Sequence, residues 1–223
     1  MKRLASGRSE VALHELRAGP GPTLLALHAL GGAAQDFSAL AAHWPGRVLA
    51  LDLPGHGASA WMRGGSYTPE LHAASADDAL FEAGDAYLAG FGLGAYVALL
   101  LAGTRAPHVP AALLLPGRGL EGCGPAPQPD QALQIPSGEA LRLLDAAAAQ
   151  PRPGFDPLLR ACETDARPPD YARPFADAAQ RLLFAEDGGA RPPWWQAARA
   201  AASAESAPGD PARALQRLAA AAS

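Results

Sequence analysis

Around residue 90 the chain runs Tyr87-Leu88-Ala89-Gly90-Phe91-Gly92-Leu93-Gly94-Ala95-Tyr96, and the apolar stretch 97–102 follows. A short apolar strand that ends in a glycine-dense turn and opens directly into a helix aims backbone N–H groups, and one side chain, at a cleft. In the pattern Gly-x-Ser-x-Gly that side chain is a serine on a strained strand-to-helix turn, and the chemistry is acyl transfer through a covalent intermediate. Here the middle position is Gly92. It has nothing to attack a carbonyl carbon with, so the turn keeps its amide donors and lacks its nucleophile.

Other groups with chemical potential are scattered. His28 and His56 fall in loops that follow apolar runs, where either is a stand-in base or, with Asp52, a metal ligand; no spacing in the chain matches a known ligand set, and neither metal nor cofactor is expected. Cys123 lies in Gly122-Cys123-Gly124 with no cation or histidine nearby to lower its pKa, which marks an inert thiol. Ser38, Ser59 and Ser66 lie in or near loops, none of them on a strand-to-helix turn. His72 and His108 read as surface or helix-end residues, and Trp194-Trp195, after Pro192-Pro193, as an anchor for a core or cap.

These groups need elements to position them. Residues 1–6 and the weak alternation at 11–16 suggest an exposed antiparallel start to a sheet. The run 23–28 is continuously apolar, as strands buried on both faces are, and 47–52 and 109–115, with apolar interiors, read as two more buried strands. Helix-like stretches fall between them, one at 33–43 and one opened by Thr68 as cap with Pro69 at the first helical position. Strand, loop, helix and strand in repetition imply a parallel sheet. Beyond Val109 there is no valine and one isoleucine, Ile135, while alanine and proline dominate. Helices are therefore expected over 138–148 (capped by Ser137), 156–162, 170–180, 193–202 and 210–221. Residues 181–185, Arg-Leu-Leu-Phe-Ala, read equally as the end of a helix or as a short strand presenting an acid at its end.

The whole chain of 223 residues is 49% hydrophobic with a net charge of −4. It can bury one good core, and it carries no basic field to hold a nucleic acid or an anionic membrane. Two cysteines are too few for a disulfide framework and lack the paired spacing of a zinc site. No secretory leader and no apolar run of about 20 residues is visible, so a soluble, cytoplasmic protein is expected. Composition leaves its oligomeric state open.

Three motifs in order, His28-Ala29-Leu30-Gly31-Gly32, Asp52-Leu53-Pro54-Gly55-His56-Gly57 and the glycine turn 90–94, resemble the α/β-hydrolase superfamily over about residues 24–115. The resemblance implies an α/β fold with a mostly parallel, doubly wound sheet of about six to seven strands, a small helical cap and a shortened C-terminal part. It gives one domain over 1–223: core 1–120, cap about 121–180 and a helical remainder 181–223. It also implies roles. The oxyanion amides fall on Leu30 and Leu93, the nucleophile position on Gly92, and the acid on Asp187 or Glu186, with Glu121 second; His28 and His56 become structural residues of the cleft loops. The base should be a late histidine, yet the last of the six is His108. Without nucleophile and base, the expectation is a non-hydrolytic protein that binds a small carbonyl or carboxylate ligand; the alternative is an active hydrolase on small esters or acyl compounds with an unconventional residue set.

Overall fold

The computed structural model describes residues 1–7, 9–62, 66–120, 156–164 and 167–222. They build one sheet of eight strands in the order β1-β2-β4-β3-β5-β6-β7-β8. β1 (Lys2–Ser6) and β2 (Ser9–Arg17) form the antiparallel edge, and β2 pairs antiparallel with β4 (Val48–Asp52). β3 (Thr23–Leu27), β4, β5 (Ala86–Phe91), β6 (Ala112–Leu115), β7 (Leu182–Glu186) and β8 (Ala204–Pro208) run parallel. Among the described residues the helices are α1 (Pro69–Ala83), α2 (Leu93–Thr104), α3 (Arg173–Ala178), α4 (Pro193–Arg199) and α5 (Pro211–Ala220).

The central strands are apolar without interruption because both faces are covered. Successive side chains alternate between two cores. Leu25, Leu27, Leu88 and Leu114 join the core shared with α1, α2 and α4, whereas Leu24, Ala26, Ala89, Leu113 and Leu115 join the one shared with α5. α2 is buried along its length from Leu93 to Ala102, which explains a helix that is apolar on every side. α1 starts where Thr68-Pro69 indicates: the Thr68 hydroxyl accepts from the Leu71 N–H, a cap worth about 1 kcal/mol.

The structure corrects several expectations. The sheet has eight strands rather than about six to seven: one of the two readings left open for 181–185 holds, and the remainder beyond it, expected to be helical, adds a further strand. Residues 181–185 resolve to strand β7, and β8 follows in Ala204-Glu205-Ser206-Ala207-Pro208. That sequence has no β-branched residue; tertiary pairing overrides propensity. Its backbone pairs with β7, Arg181 on β7's flank grips both Glu205 oxygens at 2.8 Å, and the Ser206 hydroxyl donates to Glu186. Pro208 lacks an N–H, which an edge strand tolerates. The helix expected over 33–43 is instead two 3-10 turns, Ala34–Phe37 and Leu40–His43. In the cap region the described residues form 3-10 turns at Pro157–Cys162 and Pro169–Ala172 followed by α3. The helix expected over 138–148, Glu121 and Cys123 lie outside the described residues.

Candidate functional site

The turn at Gly92 sits between β5 and α2 at the carboxyl ends of the parallel strands, where open α/β sheets bind ligands. Gly92 has φ +50° and ψ −112°, a conformation that L side chains rarely adopt. The strand-to-helix strain of a nucleophile turn is present with no nucleophile on it. The space that a side chain on this residue would take is filled by backbone. A Cβ on Gly92 would run into the carbonyl oxygen of Arg118 and the carbonyl carbon of Gly117.

Leu30 follows β3 and Leu93 opens α2, and the two N–H groups converge on a single acceptor. Each donates at 3.0 Å to the carbonyl oxygen of Arg118. Two amides meet on one oxygen, the donor arrangement that an oxyanion would also require. The oxygen belongs to the chain itself. Segment 116–120, Pro-Gly-Arg-Gly-Leu, reaches this position because Gly119 has φ +106° and no side chain; a Cβ there would lie 2.9 Å from the Leu93 Cβ and 3.0 Å from that of Leu30. The segment is fastened at both ends. At its root the Gly92 N–H donates to the Leu115 carbonyl; at its tip the Leu120 N–H donates to Cys162, and the Leu120 carbonyl accepts from the Trp194 indole at 2.9 Å. Trp194 and Trp195 are both buried and stack edge to face, as expected of anchors.

His28 and His56 support the Leu30 loop from below. The His28 Nε2 accepts from the Leu53 N–H at 3.0 Å, so its proton is on Nδ1, which donates to the Ala29 carbonyl. His56 repeats the arrangement, with Nε2 accepting from Gly31 and Nδ1 donating to Pro54. Both rings are fully buried. Burial lowers the pKa of His28, and burial together with the His28 ring lowers that of His56 to about 3. They are neutral, and both ring nitrogens of each are committed to backbone. His72, expected near the surface, is instead fully buried on α1, stacked on Tyr67, and neither of its nitrogens has a hydrogen-bond partner among the described residues. Burial takes its pKa well below the usual histidine value. His108 is exposed beside Asp85.

Asp52 closes the same loops. Its carboxylate accepts from the Ala34 N–H at 2.7 Å, the Ala58 N–H at 2.9 Å and His14 at 2.9 Å. Burial works against its charge, yet these donors hold its pKa below the ordinary carboxylate value. The buried Ser59 hydroxyl bridges the Ala12 N–H and the Asp52 carbonyl, whereas Ser38 and Ser66 are exposed.

The two acid candidates lie at the end of β7 and turn to arginines. Glu186 accepts from Ser206 and Arg199, and Asp187 from Arg191 and the Gly189 N–H; these bonds hold both exposed carboxylates below the usual range. Neither bonds a histidine among the described residues. Between the Gly92 turn and Arg191, Trp194 and Trp195 lies a hollow of about 240 Å³, also lined by Pro116, Gly117 and Gly119. No group of three or more His, Cys, Asp or Glu among the described residues could hold a metal ion, and no described helix is long and apolar enough to cross a membrane.

Sequence reasoning placed Leu30, Leu93 and Gly92 in one region and missed their common occupant, Arg118. The signal was there in Gly117 and Gly119, a glycine pair directly after an apolar strand.

Comparison with known proteins adds the following. A model of an alpha/beta hydrolase family matches residues 15–222. Esterase Rv0045c of Mycobacterium tuberculosis is 35% identical over 99 residues, which are 44% of this chain and 33% of that protein, so the match spans a third of that relative's length. Among solved structures, the thioesterase domain from the curacin biosynthetic pathway superposes with a TM-score of 0.69 at 19% identity, over 98% of this chain and 96% of that one. The bottromycin epimerase BotH, in complex with bottromycin A2, gives 0.66 at 20% identity over 100% and 99%.

Proposed function

The chain belongs to the alpha/beta hydrolase family, and from that premise we propose that it is a non-hydrolytic member whose cleft holds a small ligand through a carbonyl or carboxylate oxygen. One observation carries this reading: the space of the nucleophile's side chain, and both amides of the oxyanion site, are taken by the Arg118 carbonyl. Acyl transfer needs a nucleophile, a base within reach of its proton and a vacant oxyanion site. Gly92 supplies no nucleophile, no histidine follows His108, and His28 and His56 spend both ring nitrogens on backbone. In triads of this kind, losing nucleophile or base alone costs on the order of 10⁶-fold in turnover.

The ligand is small. The hollow beside Gly92 is about 240 Å³, room for a small molecule rather than a polymer. Arg191 and the two indoles supply a cation and flat apolar walls, which suits a short carboxylate better than a nucleic acid or a lipid surface, as does the net charge of −4.

Kinship with an esterase favours a second reading, an active hydrolase on small esters using other residues. The names of the solved neighbours, a thioesterase and an epimerase, do not choose between the readings, because a fold does not bring its chemistry with it. Incubating the purified chain with p-nitrophenyl esters and a fluorophosphonate probe separates the two. The expected result is no labelling, and no turnover above a heat-denatured control. Labelling with turnover sinks the non-hydrolytic reading, and mass spectrometry then names the substitute nucleophile.

A further inference from the structure

We propose that the 117–120 turn is a displaceable plug, an internal mimic of the ligand that keeps the Leu30 and Leu93 amides closed until a carbonyl or carboxylate oxygen takes the place of Arg118. The proposal rests on the reading that this amide pair is the ligand site. A peptide carbonyl is the same acceptor that such a ligand would present, held by the same two N–H groups at 3.0 Å. Exchange of one for the other leaves neither amide without a partner, so the open state does not carry the cost of two orphaned buried donors once ligand is present.

Withdrawal of the segment as a unit releases its ties at Leu120, to the Cys162 carbonyl and the Trp194 indole. Gly117 and Gly119 flank Arg118, and Gly119, at φ +106°, stands in backbone space closed to other residues. Next to it, Leu120 has φ +54° and is the one non-glycine residue with positive φ among those described. An L side chain resists that conformation, so the plugged state holds backbone strain that retraction releases. The Arg118 side chain lies outside, paired with Glu163 in an exposed ion pair of the kind that contributes little. The hollow lined by Gly117 and Gly119 abuts the plug and gives an incoming ligand a place to stand before exchange. Only the fraction of molecules with the plug withdrawn binds, so apparent affinity is reduced by that fraction.

Native-state hydrogen exchange followed by NMR tests the wild-type chain. The Leu30, Leu93 and Leu120 amides should exchange through a shared local opening at least tenfold more frequent than the opening that exposes Leu88 and Ala89 in β5. Equal rates for both groups overturn the plug whatever any ligand does. The second arm ejects the plug from two sides, by Gly119→Ala, whose Cβ meets Leu30 and Leu93, and by Gly92→Ala, whose Cβ meets the Arg118 carbonyl. Circular dichroism reports folding, and if neither variant folds the exchange experiment decides. Butyrate is the probe, titrated against the amide resonances of Leu30 and Leu93. The variants should bind it at least fivefold more tightly than wild type. Equal affinity, with shifts at both amides, overturns the plug and leaves the ligand-site reading standing. Folded variants without shifts at either amide overturn the reading and the plug together.

Discussion

Acid should unfold this protein earlier than its carboxylates alone would dictate, and the buried histidines say by how much. His28, His56 and His72 are buried and neutral, with ring centroids 4.7 Å apart for the first pair and 6.1 Å for the second. Burial is the main cause of each lowered pKa. A base whose folded-state pKa lies below its unfolded value binds a proton first in the unfolded chain. Its stabilisation is complete above about pH 6.5 and is lost as the pH falls toward the folded value. For His56 the window runs from 6.5 down to about 3. At about 1.36 kcal/mol per pH unit per proton, His56 alone costs about 2 kcal/mol between pH 7 and pH 5, and His28 and His72 add to it. Domains hold about 5–15 kcal/mol in total, so the loss is large. The lowered carboxylates Asp52, Glu70, Glu186, Asp187 and Glu205 have ordinary values of 3.8 to 4.5 and release most of their stabilisation below that range, beneath the span from pH 7 to pH 5. Urea unfolding at pH 7, 6 and 5 measures the effect. His72→Phe keeps a ring on Tyr67 and removes one titrating group, so it should flatten the slope by up to one proton and leave stability at pH 7 unchanged or higher. A wild-type loss under about 1 kcal/mol from pH 7 to 5, or an unaltered slope in the variant, refutes the reasoning.

Two further outcomes follow from the same loops. Gly92→Ser supplies the side chain of a nucleophile and should create no esterase activity, because its Cβ collides with the 117–118 backbone and the histidines of the adjoining loops, His28 and His56, spend both ring nitrogens on backbone; pushing the turn aside costs roughly 1–3 kcal/mol for overpacking and 1–3 for the two released hydrogen bonds, read as a lower urea midpoint, and turnover of p-nitrophenyl acetate by this variant contradicts the account. Asp52→Ala takes the acceptor from the buried Ala34 amide and the half-buried Ala58 amide, which should cost about 2–5 kcal/mol; a melting temperature within 2 °C of wild type, roughly 0.5 kcal/mol for a chain of this size, shows that the carboxylate does not tie these loops.

The parts of the fold that could be read from sequence are those whose signal is local. The runs 23–28 and 47–52 became β3 and β4 because strands covered on both faces must be apolar throughout, and Thr68-Pro69 started α1 because a cap and a proline act within one turn. β8 escaped because an edge strand is specified by its partner: Ala204-Glu205-Ser206 pairs with β7 and is clipped by Arg181, 24 residues from Glu205 in the chain. His72 escaped for a similar reason. A histidine on a helix reads as polar, and only the packing of Tyr67 and His56 around it shows it to be interior.

The candidate site divides along the same line. Motifs brought Leu30, Leu93 and Gly92 together, since each lies in a turn whose shape its own residues specify. The occupant of that site left no side-chain signal at all, being a backbone oxygen, and its glycines became meaningful only when set against Gly92. The three positions answer one physical requirement. With no serine at 92, two buried N–H groups faced a space too closed to leave them unsatisfied. A carbonyl from the next loop meets that need only if position 92 carries no Cβ to block it and position 119 none to hold it back. Glycine at 92 and the seating of the Arg118 carbonyl on the Leu30 and Leu93 amides are thus one structural arrangement, and a side chain at either Gly92 or Gly119 should unseat that carbonyl.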